Sequence, residues 1–162
     1  MSSEEKMDFF ALDDRTSLIC GDSSTVDAAR DTLRELGFKF HIAETPELAI
    51  ERMRYTDYDC IVLHENFAGS SLRSNAVLNF LTVSPMNQRR QWFVCLVGPS
   101  FKTLDAMQAF AQSVHLVLNP VDLPNLTAIL KKSLVENDLL YGAYDEIQAA
   151  LGGGRGRRAF EK

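Results

Sequence analysis

Hydrophobic positions in this chain gather into four short runs without polar alternation: SLIC (Ser17 to Cys20), CIVL (Cys60 to Leu63), FVCLV (Phe93 to Val97) and HLVLN (His115 to Asn119). Continuous Val, Ile, Leu and Cys runs of this length, bounded by turn residues, predict strands covered on both faces, as in a parallel sheet. A fifth segment, KFHIAE (Lys39 to Glu44), sets Phe40 and Ile42 among polar neighbours, which suits a strand nearer an edge. Helical patterns lie between these runs. STVDAARDTLRELG places Val26, Ala29, Leu33 and Leu36 at helical spacing, opens on Ser and Thr capping candidates and stops at Gly37. TPELAIERMRY repeats the scheme with Thr45 as N-cap, Pro46 at the first helical position and Leu48, Ile50 and Met53 as apolar positions. A third helix is expected over Ser74 to Thr82 and a fourth over Lys102 to Ser113.

The last helical pattern begins near Leu123 and runs long. Leu126, Leu130, Leu134, Asn137, Tyr141, Tyr144, Ile147 and Leu151 recur every three or four residues. Such a helix would be about 42 Å long at 1.5 Å per residue, longer than the strands it packs on. Its part beyond Glu136 should leave Leu139, Leu140, Tyr141, Tyr144, Ile147 and Leu151 without a partner in the sheet, and exposed apolar surface of that kind marks an interface. The alternative is a break at Gly142 that folds the last piece back onto MDFFALDD, where Phe9, Phe10 and Leu12 also need cover.

Alternating strands and helices call for right-handed crossovers and helices on both faces of a parallel sheet. The expected strand order is 2-1-3-4-5, with any site in the crevice at the carboxyl ends of strands 1, 3 and 4, at residues 21 to 23, 64 to 68 and 97 to 100. A length of 162 residues with 46% hydrophobic content suits one such domain. The chain divides into an N-terminal segment 1–15, the domain 16–136, the helix extension 137–151 and a basic, flexible tail 152–162.

Charge and motif content narrow the chemistry. A formal net charge of −5 argues against sequence-independent binding to phosphate backbones, although Arg155, Arg157 and Arg158 in the tail and the NQRRQW spot before strand 4 are locally basic. Cys20, Cys60 and Cys95 each sit inside an apolar run with no C-x-x-C spacing, and read as small buried hydrophobes in a reducing compartment. Neither a secretion signal nor a run long enough for a bilayer is present, so a cytoplasmic protein without membrane contact is expected. No Gly-rich nucleotide loop follows a strand, and His41 and His115, on strands at opposite ends of the order, cannot join His64 in a metal site. No cofactor is expected.

The order, spacing and strand-end motifs LICGD, DCIVLHENF, FVCLVGPS and LVLNPVDLPNL resemble the receiver domain of bacterial two-component response regulators, over roughly residues 16 to 135. The resemblance implies a flavodoxin-like, doubly wound α/β fold. A receiver ends strand 1 with two acids, strand 3 with the phosphoacceptor Asp, strand 4 with Thr or Ser, and strand 5 with Lys before Pro. In this chain Gly21 replaces one acid and Asp22 keeps the other, His64 stands at the acceptor position, Val97 at the hydroxyl and Asn119 at the Lys. Aspartyl phosphorylation needs a carboxylate nucleophile, a divalent cation on oxygen ligands and a cation balancing the phosphoryl charge, so the resemblance implies a pseudo-receiver whose switch chemistry is gone.

Several readings of His64 stay open. It hydrogen-bonds Asp22 across the former site, accepts a phosphoryl group itself, or faces solvent with no special role. Glu65, one position on, should point to the opposite face of the strand, away from the crevice. The function expected is a phosphorylation-independent signalling domain that binds a protein partner, or a second copy, through its last helix, without enzymatic activity. The alternative is a small-molecule-binding or catalytic domain using the crevice at Asp22 and His64; a Ser-His-Asp set with Ser23 or Ser24 lacks a nucleophile elbow.

Overall fold

A computed structural model describes residues 14–89 and 91–150, with only the backbone path given for 139–150. The apolar runs become the strands β1 (Thr16–Cys20), β2 (Lys39–Ile42), β3 (Cys60–His64), β4 (Phe93–Val97) and β5 (Leu116–Leu118). All pair in parallel, in the order β2-β1-β3-β4-β5. Because successive side chains leave a strand on opposite faces, each apolar run supplies two cores at once. Leu18, Ile61, Leu63, Leu96 and Val117 face one layer, and Ile19, Val62, Cys95, Val97 and Leu118 face the other.

The first layer is covered by the helices α2 (Pro46–Tyr55), α3 (Ala76–Val83) and, beyond the single turn α4 (Met86–Arg89), α5 (Ala106–Ala111). The second is covered by α1 (Ser23–Glu35) and α6 (Leu126–Ala150). Leu126 and Leu130 of α6 are fully buried and Leu134 nearly so, each contributing about 1.5–3 kcal/mol by leaving water. The fold is therefore the doubly wound α/β sheet that the alternation predicts, with a long C-terminal helix. No helix among the described residues is long and apolar enough to cross a membrane.

Helix boundaries differ from the expectations where local backbone chemistry intervenes. The third helix starts at Ala76, not Ser74, because the Asn75 side chain caps it by accepting from the Leu78 N–H. The fourth contracts to Ala106–Ala111. Leu104 at φ 67° and Ser113 at φ 59° occupy the left-handed region, which no right-handed helix can include, and Asp105 caps from inside the expected span. The last helix begins at Leu126 because Pro120–Asn125 form a tighter 3-10 turn containing Pro124. Its backbone runs unbroken through Gly142 to Ala150, so the fold-back at Gly142 is not adopted. One glycine costs a helix interior about 1 kcal/mol relative to Ala, too little to end it. The side chains of Leu139, Leu140, Tyr141, Tyr144 and Ile147, together with Leu151, Phe9, Phe10, Leu12 and the arginine tail, lie outside the described residues or side chains.

Candidate functional site

The carboxyl ends of β1 and β3 lie side by side, with Cys20 opposite Leu63. The next residues therefore meet in the crevice. Asp22 is the N-cap of α1, one carboxylate oxygen accepting from the Thr25 N–H at 2.9 Å. Its other oxygen lies 3.9 Å from Nε2 of His64. That separation is an electrostatic contact and exceeds hydrogen-bond length, so the hydrogen bond expected between the two is not formed. His64 is held from its other side, where Nδ1 accepts from the Asn66 N–H at 3.0 Å. With Nδ1 accepting, the ring proton sits on Nε2 and faces the Asp22 carboxylate. Partial burial pushes the Asp22 carboxyl upward, but the Thr25 donors and the neighbouring imidazole outweigh it and hold the group below its ordinary value.

Gly21 lies under this pair. A Cβ there would stand 2.9 Å from the Thr25 methyl and 3.4 Å from the His64 Cβ, so an acid at this position would have to displace Thr25. Val97, the register partner of His64, is fully buried in the α1–α6 layer. Asn119 turns away altogether. Its amide donates to the Phe101 carbonyl, its oxygen accepts from the Val121 N–H, and its backbone N–H donates to the Thr103 hydroxyl. Of the five positions, Gly21, Asp22 and His64 are brought together, Val97 packs beneath them, and Asn119 ties β5 to the loop after β4.

The residues that sequence reasoning passed over surround Glu65. It leaves β3 on the face opposite His64, as the two-residue period requires, and is only 3% exposed. The carboxylate does not point away from the crevice as expected but turns to the strand-end loop at Gly98 and Ser100, because the chain has left the strand and Ser100 offers two donors. Its carboxylate accepts from the Ser100 hydroxyl at 2.7 Å and from the Ser100 N–H at 2.9 Å. Gly98 makes this possible, since a Cβ there would lie 1.9 Å from a Glu65 oxygen. Asn75, nearly fully buried, completes the junction by donating to the carbonyls of both His64 and Glu65 at 3.1 Å. A glutamate directly after a buried strand was a visible signal; its partner, far along the chain in a loop, was not.

The other titratable candidates are held elsewhere. His41 on β2 bonds the Tyr58 hydroxyl through Nδ1 at 2.6 Å, and His115 before β5 accepts from the Val94 N–H while stacking on Phe93. Cys20, Cys60 and Cys95 are free and fully buried, and burial pushes the Cys95 thiol up to about 12. Among the described residues, no three His, Cys, Asp or Glu side chains converge as a metal site would need.

Sheet order, helix layers and the strand-end crevice together define the receiver fold of response regulators. Solved structures with this fold include a CheY-like receiver domain protein from Methanospirillum hungatei, with a TM-score of 0.57 and 13% identity, covering 77% of this chain and 96% of that one. A CheY-like receiver domain from Methylobacillus flagellatus gives a TM-score of 0.54 at 20% identity, over 74% and 98% of the two chains. The signal receiver domain of a DNA binding response regulator from Colwellia psychrerythraea gives 0.56 at 17% identity, over 74% and 97%. No protein-family model and no curated protein matches the sequence.

Proposed function

We propose that this chain is a phosphorylation-independent receiver-like domain, a non-enzymatic signalling module that works through protein contacts. The observation that carries the reading is the state of the two side chains at the end of β3. His64 stands in the crevice, with one nitrogen engaged by the Asn66 amide and the other facing Asp22, so no carboxylate nucleophile stands at the acceptor position. Glu65, the nearest carboxylate in sequence, is committed to Ser100 in the strand-end loop. Asn119 brings no charge to balance a phosphoryl group and is engaged with the loop after β4. Three unpaired, buried thiols suit action in a reducing cytoplasm. The partner is a signalling protein or a second copy, met through the last helix.

The test is incubation of the full chain with magnesium and either acetyl phosphate or beryllofluoride, followed by intact-mass analysis and amide spectra. The expected result is no adduct and no movement of the Asp22, His64 and Glu65 resonances. A stable adduct on His64 or Glu65 overturns the proposal.

A further inference from the structure

The opposite end of the sheet carries an open groove of about 480 Å³ between α3 and α5. Leu81 of α3 and Trp92 and Val94 at the start of β4 line it from below, all nearly buried. Met86 and Phe110 line it with 55% and 80% of their surfaces in water, and Arg89 lines it too. The groove is mixed, with Ser113 and His115 beside Arg89 in its lining, while Met86 and Phe110 together give it an apolar rim over the nearly buried Leu81 and Trp92, the kind of contiguous patch that a further segment can cover. We propose that the occupant is the N-terminal segment of this same chain, residues 1–13, seated through Phe9 and Phe10.

Position and chemistry both select it. Because all the strands are parallel, β1 and β4 begin at the same end of the sheet, the end where the groove opens. Two places in the strand order separate them, which is about 10 Å at the usual interstrand spacing. The stretch from Asp14 back to Phe10 spans up to about 13 Å when extended, enough to cross that gap. The segment also carries the complementary groups. Met7, Phe9, Phe10 and Leu12 are apolar, and Glu4, Glu5, Asp8 and Asp13 outnumber the single Lys6. They would meet Arg89, which makes no ion pair among the described residues and is followed in the chain by Arg90. The C-terminal tail offers Phe160 but brings Arg155, Arg157 and Arg158 toward that same positive charge. The docking is independent of the phosphorylation reading.

The experiment uses the full chain. A spin label is placed at Lys6→Cys, which takes it selectively because the three native thiols are fully buried. Trp92 is the single tryptophan, so its indole N–H gives one unambiguous resonance. The expected result is that the Trp92 indole and the Phe110 amide lose most of their intensity while Asn119, at the other end of the sheet, keeps its own. In a mixture of spin-labelled chains and isotopically labelled chains without the spin label, the effect disappears, because the contact is within one chain. Phe110→Glu, at an exposed position, abolishes the broadening without altering the rest of the spectrum. Undiminished Trp92 intensity in the labelled chain, broadening in the mixed sample, or broadening that survives Phe110→Glu each overturns the proposal.

Discussion

Glu65 and Gly98 depend on each other. The carboxylate can reach Ser100 only because residue 98 has no side chain, and an added methyl would occupy the space of the carboxylate itself. Gly98→Ala is therefore expected to destabilise the fold by about 1–3 kcal/mol in urea denaturation, the usual cost of overpacking a closed site. Glu65→Ala introduced beside it should recover part of that loss, because the clash disappears with the carboxylate; simple additivity in the double-mutant cycle would refute the dependence. Asp22 gives a pH signature. Its folded pKa lies below the ordinary 3.8, so its stabilisation is complete above that ordinary value and is lost as pH falls through the folded one. Asp22→Asn keeps a capping oxygen without the charge and should flatten the acid limb of a thermal-melt profile. Asp22→Ala removes the cap and should cost about 1 kcal/mol already at neutral pH. The period of two was enough to send His64 and Glu65 to opposite faces from sequence. The Ser100 bond and the lateral turn of Asn119 were hidden because both join residues through loops, where no periodicity fixes direction.

Elements were legible wherever burial dictated composition. The runs at Ile61 and Leu96 are covered on both faces and so are apolar throughout, and Thr45 with Pro46 announces the start of α2 in its side chains. Elements held by backbone conformation were less legible. Leu104 and Ser113 adopt positive φ without being glycine, so nothing in their identity warned that α5 would be so short. In α6 the predicted stripe is buried at Leu126, Leu130 and Leu134 and extends to Asn137, which is also buried. Asn137 is packed, so the division expected after residue 136 is best tested with a chain ending at Asp138, which keeps that residue. Such a chain is expected to retain a cooperative thermal melt close to that of the full protein. Light scattering should show it losing whatever self-assembly the full chain displays; assembly that persists would remove the distal turns of α6 from the interface.

For the whole molecule, alternation of strand and helix led directly to the order β2-β1-β3-β4-β5, because short parallel connections leave few other arrangements. The groove at the amino end had no comparable signal, since it arises from how α3 and α5 pack and neither helix announces it alone. A ligand bound only by the folded state raises its melting temperature, so magnesium with beryllofluoride is expected to leave that temperature unchanged; a rise that saturates with concentration would mean that the crevice still holds an anion. The length of α6 has a mechanical consequence. Its 25 residues extend about 37 Å, roughly twice the reach of a five-residue strand, and among the described side chains the leucines that anchor it, Leu126, Leu130 and Leu134, lie in its first half. A tilt of a straight helix grows along its length, so a small rotation at Leu126 to Leu134 becomes a displacement of several ångströms at Ala150, and movement of that tip is transmitted to the residues packed on the sheet.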